Sequence, residues 1–98
     1  MLPVEISAEA ERDLEQITDY IARDKPAAAE AWVTKLIATA RAAGTNPRAG
    51  RIVPEWRDPD VREVFLGTYR IIYRVESARI VVLTVFEGRR RLQRRRGP

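Results

Sequence analysis

The sequence predicts an α+β fold in which a helical hairpin packs on one face of a small, mainly antiparallel sheet. Two neighbouring stretches in the first half carry apolar residues at helical spacing, with only a short break between them. A proline-rich loop follows, and the second half holds three stretches rich in β-branched and aromatic residues. A short apolar stretch at the start completes the order β-α-α-β-β-β. At 98 residues, the chain is expected to form one domain over residues 1–88, followed by an arginine-rich tail over residues 89–98.

The first predicted strand leads directly into a helix. Apolar residues alternate with polar or turn-forming neighbours from Leu2 to Ile6, and Pro3 favours a place at the edge of a sheet. Ser7 is typical of a helix N-cap, because its hydroxyl can accept a hydrogen bond from an amide of the next turn. The helix is predicted from about Ala8 to Arg23. The residues of its core-facing stripe are Ala10, Leu14, Ile17 and Ile21.

The second predicted helix starts at Pro26, whose fixed φ suits a first helical turn, and it ends near Ala43, just before Gly44. Because the connection between the helices is so short, we expect them to pack as an antiparallel hairpin. The apolar residues of this helix again recur at helical spacing, and they are Ala29, Trp32, Val33, Leu36 and Ala40.

The segment from Asn46 to Asp60 holds three prolines and one glycine and shows no period, so we predict a loop pinned by Ile52, Val53 and Trp56. Three strands are predicted after it, connected by a two-residue turn at Gly67-Thr68 and a second turn over residues 76–78. The predicted strands are Val61 to Leu66, Tyr69 to Val75 and Arg79 to Phe86.

Within the strand from Tyr69 to Val75, alternation separates an apolar face from a face that carries Arg70, Ile72 and Arg74. The apolar face belongs under the helices, which leaves Arg70 and Arg74 on an open, positively charged face of the sheet. The alternative is that they are ordinary solvated arginines. We expect one core between hairpin and sheet, formed by Leu14, Ile17, Trp32, Leu36, Ile71, Tyr73 and Leu83.

Charge is distributed unevenly along the chain. Residues 1–46 carry 5 basic and 8 acidic side chains, whereas residues 47–98 carry 13 basic and 6 acidic ones, so the second half is strongly positive. Six of the last ten residues are arginine, including Arg89, Arg90 and Arg91. Such a field favours nucleic acid or an acidic protein segment as partner. The alternative is a solvated tail that only aids solubility.

Composition excludes several kinds of chemistry. The chain has no Cys and no His, which removes disulfides, thiolate nucleophiles, imidazole bases and nearly every zinc site. We therefore expect no metal and no cofactor. The sequence also has no apolar run of membrane-spanning length and no secretory leader, so we expect a cytoplasmic protein without membrane contact.

Few side chains remain as candidates for catalysis. Glu87, at the end of the last strand and close to Arg89 and Arg90 in sequence, could act as a general base or hold an arginine in place. A surface ion pair is the alternative. Asp58 and Asp60 flank a proline and are interpreted as turn residues rather than as a metal pair.

Three stretches resemble the RelE/ParE superfamily of bacterial type II toxin-antitoxin toxins. They are AERDLEQITDYIARDKPAAAEAW from Ala10 to Trp32, NPRAGRIVPEW from Asn46 to Trp56, and VREVFLGTYRIIYRV from Val61 to Val75, the last leading into IVVLTVFEGRRRL. The resemblance implies the RelE/ParE toxin fold. It also implies a cognate antitoxin that neutralises the toxin in a hetero-oligomer through an acidic C-terminal segment, and whose degradation frees the toxin.

The superfamily has two kinds of target. RelE-like members cut mRNA on the ribosome at a basic, metal-free site, whereas ParE-like members inhibit DNA gyrase. Arg70 matches the family's strand arginine, and Arg89 or Arg90 matches the basic position after the last strand. Glu87 stands where many members have a His, and the final residues offer no Tyr or His, so the ParE-like branch is favoured. The alternatives are a ribosome-dependent mRNA endonuclease and a basic nucleic-acid-binding module without toxin activity.

The resemblance also assigns residues to the two kinds of site. The antitoxin- or target-binding set is Arg70, Arg74, Arg89, Arg90 and Arg91. If the chain were a nuclease, the catalytic set would be Arg70, Glu87, Arg89 and Arg90.

Overall fold

The computed structural model describes residues 1–88, which form two helices and a five-stranded sheet. The helices are α1 (Ala8–Asp24) and α2 (Pro26–Ala42), and a short 3₁₀ turn covers Pro47–Ala49. The strands are β1 (Val4–Ile6), β2 (Arg51–Ile52), β3 (Val61–Leu66), β4 (Tyr69–Val75) and β5 (Ile80–Glu87). The predicted α+β architecture is confirmed, and β2 is an addition inside the segment predicted to be a loop.

The sheet has the strand order β1-β5-β4-β3-β2. Strand β1 runs parallel to β5, and every other neighbouring pair is antiparallel. Strands β3 and β4 are joined at Gly67, whose φ of 57° is the positive value that a type II′ turn requires at its first central residue. The first and last strands of the described residues therefore lie side by side, and the helical hairpin passes over one face of the sheet from β1 at one edge to β2 at the other.

Ser7 fixes the start of α1 against the sheet. Its hydroxyl accepts a hydrogen bond from the Ala10 amide at 3.1 Å, as an N-cap does, and donates to the Leu83 carbonyl at 3.2 Å. Its own backbone amide donates to the Val82 carbonyl at 3.1 Å. At the far end of the hairpin, the Leu2 amide donates to the Gly44 carbonyl at 2.9 Å. Both ends of the hairpin are thus tied to the β1–β5 edge.

The main core lies between the hairpin and the sheet. Its fully or almost fully buried members include Leu14, Ile17, Leu36, Ile71 and Tyr73, all five of which were predicted. Trp32 was also predicted to belong to this core, but it is only half-buried and packs instead against the Tyr69 ring, with the centroids 6.1 Å apart.

Leu83 was assigned to this core, and that prediction is wrong. The β4–β5 register shifts at one point, so that Ile72 pairs with Thr84 but Tyr73 pairs with Val82. The skipped residue, Leu83, packs on the opposite face of the sheet, against a second cluster. Alternation could not reveal this, because β5 is apolar on both faces and carries a bulge in its middle.

No helix within residues 1–88 is long and apolar enough to cross a membrane.

Candidate functional site

The face of the sheet opposite the helices holds the candidate site. Strand β4 presents Arg70, Ile72 and Arg74 there, as alternation predicted, since Ile71 and Tyr73 pack under the helices instead. This face is not open. Residues 54–59, which we call the strap, cross over it between β2 and β3. The expectation of an exposed cationic face is therefore wrong for Arg70, of which only 6% is exposed.

Trp56 anchors the strap. Its side chain is 6% exposed and packs in a cluster with Val53, Val61 and Ile72, on which Leu83 and Phe86 also pack. The sequence places this indole in a segment without periodicity, yet its burial gives the sheet a second, smaller core. The loop was predicted to be pinned by Ile52, Val53 and Trp56. Val53 and Trp56 are buried as predicted, whereas Ile52 is 44% exposed.

Arg70 is held by two carboxylates. Its Nε atom donates to Glu63 Oε1 at 2.7 Å, and its two terminal nitrogens donate to the two oxygens of Glu55 at 3.0 Å each. The guanidinium carbon lies 5.3 Å from the centroid of the Phe86 ring. All three guanidinium nitrogens therefore contact protein carboxylates, which is the arrangement that a buried arginine needs.

Glu63 links Arg70 to a second arginine at the outer edge of the sheet. Its side chain is fully buried, and Oε2 accepts a hydrogen bond from Arg51 Nε at 2.7 Å. The order Arg51, Glu63, Arg70, Glu55 thus alternates in charge from β2 across β3 and β4 to the strap. The two positive and two negative charges balance, so this network presents no excess positive charge to a ligand.

The pKa directions agree with that pairing. Hydrogen bonds from Arg70 lower the pKa of Glu55 against the opposing effect of burial. The same bonds, first with Glu55 and then with Glu63, raise the pKa of Arg70. Both shifts favour the charged forms, so the pair stays ionised at neutral pH.

Arg74 is paired as well. Its Nη1 atom donates to Asp58 Oδ2 at 3.1 Å, while Asp58 Oδ1 accepts the Asp60 amide at 2.9 Å. That amide bond, followed by Arg74, lowers the pKa of Asp58. Asp58 thus forms the Asx turn predicted for this segment and also holds the strap to β4. Arg74 remains about one-third exposed.

Glu87 does not lie on the same face of the sheet as Arg70. The β4–β5 register pairs Glu87 with Tyr69 and Phe86 with Arg70, which puts Glu87 on the helix side of the sheet and Phe86 on the strap side. Its carboxylate accepts a hydrogen bond from the Thr68 hydroxyl at 2.7 Å. The structure therefore does not bring Glu87 and Arg70 together as a catalytic pair. Arg89, Arg90 and Arg91 lie outside the described residues.

A groove of about 350 Å³ lies between the middle of α1 and the end of β5. Asp13 forms one wall, where its carboxylate accepts the Thr84 hydroxyl at 2.6 Å and the Val85 amide at 3.1 Å. Tyr20, the largest exposed side chain of α1, and Glu87 lie at the same groove. Strand β1 pairs with β5 only as far as Val82. Beyond that point, Asp13 accepts the hydrogen bond of the β5 edge that a neighbouring strand would otherwise accept.

Sequence reasoning missed both carboxylates of the Arg70 network. Glu63 had a usable signal, because the two-residue turn at Gly67-Thr68 pairs Phe65 with Arg70 and so places Glu63 diagonally across from that arginine on the same face. Glu55 had none, because it belongs to a loop without periodicity. Only the three-dimensional path of the strap brings it to Arg70.

Comparisons with known proteins point to one group. The family model described as the ParE toxin of the type II toxin-antitoxin system parDE matches residues 4–92. No curated protein matches the chain. Among solved structures, one from the chromosomal ParDE system of P. aeruginosa matches with a TM-score of 0.75 at 21% identity, covering 89% of this chain and 96% of that one.

A second solved structure belongs to the toxin-antitoxin complex RelBE2 of Mycobacterium tuberculosis. It matches with a TM-score of 0.63 at 22% identity and covers 88% of this chain and 96% of the other. At these identities, the two similarities establish a shared fold.

Proposed function

The chain belongs to the ParE toxin family of type II toxin-antitoxin systems, and we propose that it inhibits DNA gyrase in the cytoplasm without cutting RNA. In this proposal, a cognate antitoxin binds the toxin in a hetero-oligomer and neutralises it, and degradation of that antitoxin frees it. The protein is then not an enzyme, and it needs no metal and no cofactor.

The pairing and burial of Arg70 are the observations that favour gyrase over mRNA as the target. A metal-free ribonuclease site needs cationic groups that are free to contact the scissile phosphate and to stabilise charge in the transition state. All three guanidinium nitrogens of Arg70 are instead engaged by Glu55 and Glu63, and the strap covers the side chain. A phosphate at this position would have to displace two carboxylates. That arrangement supports a toxin that acts by binding rather than by hydrolysis.

The side chains near Arg70 within residues 1–88 are also poorly suited to act as a general base, because Glu55 and Glu63 are both engaged by its guanidinium, and Arg70 lowers the pKa of Glu55. The sequence contains no His, and Glu87 lies on the other side of the sheet. The Tyr73 hydroxyl donates to the Pro47 carbonyl at 2.6 Å, and burial raises the pKa of this phenol. It is therefore poorly suited to accept a proton at neutral pH.

The second candidate is a RelE-like mRNA endonuclease. The structural similarity to a RelBE2 complex favours it, because the same fold serves both branches of the superfamily. Its cationic groups would be Arg89 and Arg90, acting with Arg70 only after Arg70 is released from its carboxylates.

Two assays on the purified chain separate the candidates. In the first, gyrase supercoils relaxed plasmid with ATP in the presence of the chain. In the second, ribosomes translate a defined mRNA, and the 5′ ends of its fragments are mapped. We expect loss of supercoiling and an intact mRNA. Intact supercoiling together with cuts at fixed codon positions would replace the proposal with the second candidate.

The matched variant for both assays is Glu87→Gln, which removes the candidate base and leaves the Arg70 network untouched. We expect it to inhibit supercoiling as the parent does. If the chain were a nuclease with Glu87 as base, this variant would instead cut RNA more slowly by roughly a hundredfold or more.

A further inference from the structure

The strap rests on the sheet through side chains. The amides of Trp56 and Arg57 donate to the Val53 carbonyl at 3.1 and 3.2 Å, and the Asp58 carbonyl accepts the Val61 amide at 2.9 Å. In the described part of the chain, these backbone bonds stay within the loop and its anchor residues. The strap can therefore leave the sheet without breaking the hydrogen bonds that join β3, β4 and β5.

Two features of the closed strap oppose its conformation. Trp56 Nε1 is buried and has no hydrogen-bond partner within residues 1–88, and such an unmade bond is unfavourable. Arg57 has a φ of 58°, in the left-handed region that side chains other than glycine rarely adopt. The last residue of the strap is held separately, because the Pro59 carbonyl accepts hydrogen bonds from Arg48 and Arg62 at 3.2 and 2.8 Å. The rest of the closed strap depends on the attachments that Glu55, Trp56 and Asp58 make with the face below.

That face has a definite chemistry. Arg70 and Arg74 project from the same side of β4 and flank Ile72, which belongs to the apolar cluster that receives the Trp56 indole. Two guanidinium groups therefore lie on either side of an apolar patch. One short stretch of the strap supplies the groups that contact this face. The Glu55 carboxylate pairs with Arg70, the Trp56 indole packs on the apolar patch, and the Asp58 carboxylate pairs with Arg74.

We infer that the strap is a displaceable intramolecular ligand, and that this face binds a partner's peptide segment that carries an aromatic side chain between two carboxylates. The partner segment takes the places of Glu55, Trp56 and Asp58, and the strap swings away between Pro54 and Pro59. The inference rests on the proposed function only in that the toxin has a protein partner. It is independent of gyrase.

The physical basis is competition. Because the strap is covalently attached, its effective concentration at the face is high, and a partner binds only to the fraction of molecules in which the strap is open. Weakening the strap's two ion pairs should raise that open fraction. The apparent affinity for an acidic partner should rise by the same factor.

The first experiment measures the open fraction. The chain has two tryptophans, so NMR can follow solvent exchange of the Trp56 indole N–H with that of Trp32 as an internal reference. In the variant Glu55→Gln/Asp58→Asn, exchange at Trp56 should rise by roughly two- to tenfold, while the Ile72 amide in β4 stays as protected as in the parent.

The matched control breaks two carboxylate contacts that involve no residue of the strap. Glu5 and Glu76 both pair with Arg79, at 2.6 and 2.8 Å, and Glu5→Gln/Glu76→Gln should leave exchange at Trp56 unchanged. An unchanged rate in the strap variant would overturn the inference. Exchange of the parent's Trp56 indole only together with the Ile72 amide, through global unfolding, would overturn it as well.

The second experiment tests the face itself. The probe is a labelled peptide with the sequence of residues 53–60, VPEWRDPD, and its binding is measured by fluorescence anisotropy. It should bind the strap variant more tightly than the parent by the factor found for indole exchange. A peptide with Gln and Asn in place of its Glu and its first Asp should lose binding.

Equal binding to parent and variant, including no binding to either, would contradict the inference. A short single-stranded RNA that binds the strap variant more tightly than the peptide does would also contradict it, because the face would then select phosphate. None of these outcomes changes the result expected in the gyrase assay, so the two proposals fail separately.

Discussion

Glu63 and Arg70 lie on neighbouring strands with a carboxylate oxygen and a guanidinium nitrogen 2.6 Å apart, and both side chains are almost completely buried. The pair sits beneath the strap, on the face of the sheet opposite the helices. Because the pair is buried, removing either partner leaves an uncompensated charge in the interior of the protein. Because the two charges balance, the pair adds no free positive charge to this face.

Removing the carboxylate of this pair should strongly destabilise the fold. In Glu63→Ala, Arg70 stays buried with Glu55 as its remaining partner, and we expect a loss of roughly 3 kcal/mol in the free energy of unfolding. Urea unfolding followed by circular dichroism measures it. The control is Asp60→Ala, which breaks the exposed Arg48–Asp60 pair and should change stability by less than about 1 kcal/mol. Similar losses in the two variants would refute the structural role of Glu63.

Leu36 tests the packing of the hairpin on the sheet. Its side chain is almost fully buried in the main core, so Leu36→Ala should lower the free energy of unfolding by roughly 2 to 5 kcal/mol. Thr34→Ala, on the exposed side of the same helix, serves as the control and should have little effect. If Leu36→Ala melts within about two degrees of the parent, the hairpin does not pack as described.

Gly50 and Tyr73 should be energetically coupled. A methyl group at position 50 would overlap the Tyr73 hydroxyl, which donates to the Pro47 carbonyl at 2.6 Å. Gly50→Ala should therefore destabilise the protein by roughly 1 to 3 kcal/mol. The loss should be smaller in a Tyr73→Phe background, where the clashing oxygen is absent. A double-mutant cycle measures the difference, and strictly additive losses would show that the two sites do not meet.

The Glu55–Arg70 pair should make stability depend on acid pH. Arg70 lowers the pKa of Glu55 in the folded state below its ordinary value of 4.5, so the pair's contribution is fully present above pH 4.5. It is lost as the pH falls from there through the folded-state pKa. The unfolding free energy of the parent should thus fall more steeply below pH 4.5 than that of Glu55→Gln. Parallel curves for the two proteins would contradict the pairing.

Local signals in the sequence were sufficient for much of the fold. The Ser7 cap, the apolar stripe around Leu14 and the position of Pro26 determine the hairpin, because capping and helical spacing act within a few residues. The two-residue turn at Gly67 similarly determines the pairing of β3 with β4, and hence which side chains of β4 share a face.

Other features depend on contacts between distant parts of the chain. The bulge that moves Leu83 to the second cluster is invisible in a strand that is apolar on both faces. The strap has no period, so neither the burial of Trp56 nor the bond from Glu55 to Arg70 could be predicted. Spacing alone led to an open cationic face because it shows which side of β4 carries Arg70 but not what covers that side.

Induced expression in bacteria tests the choice of target most directly, with two readouts from one culture: the DNA damage response and the 5′ ends of ribosome-bound mRNA. Because Arg70 is neutralised within the fold and the carboxylates beside it, Glu55 and Glu63, are engaged in that pairing, we expect a strong DNA damage response and no new mRNA ends. New mRNA ends at fixed codon positions without a DNA damage response would contradict the account.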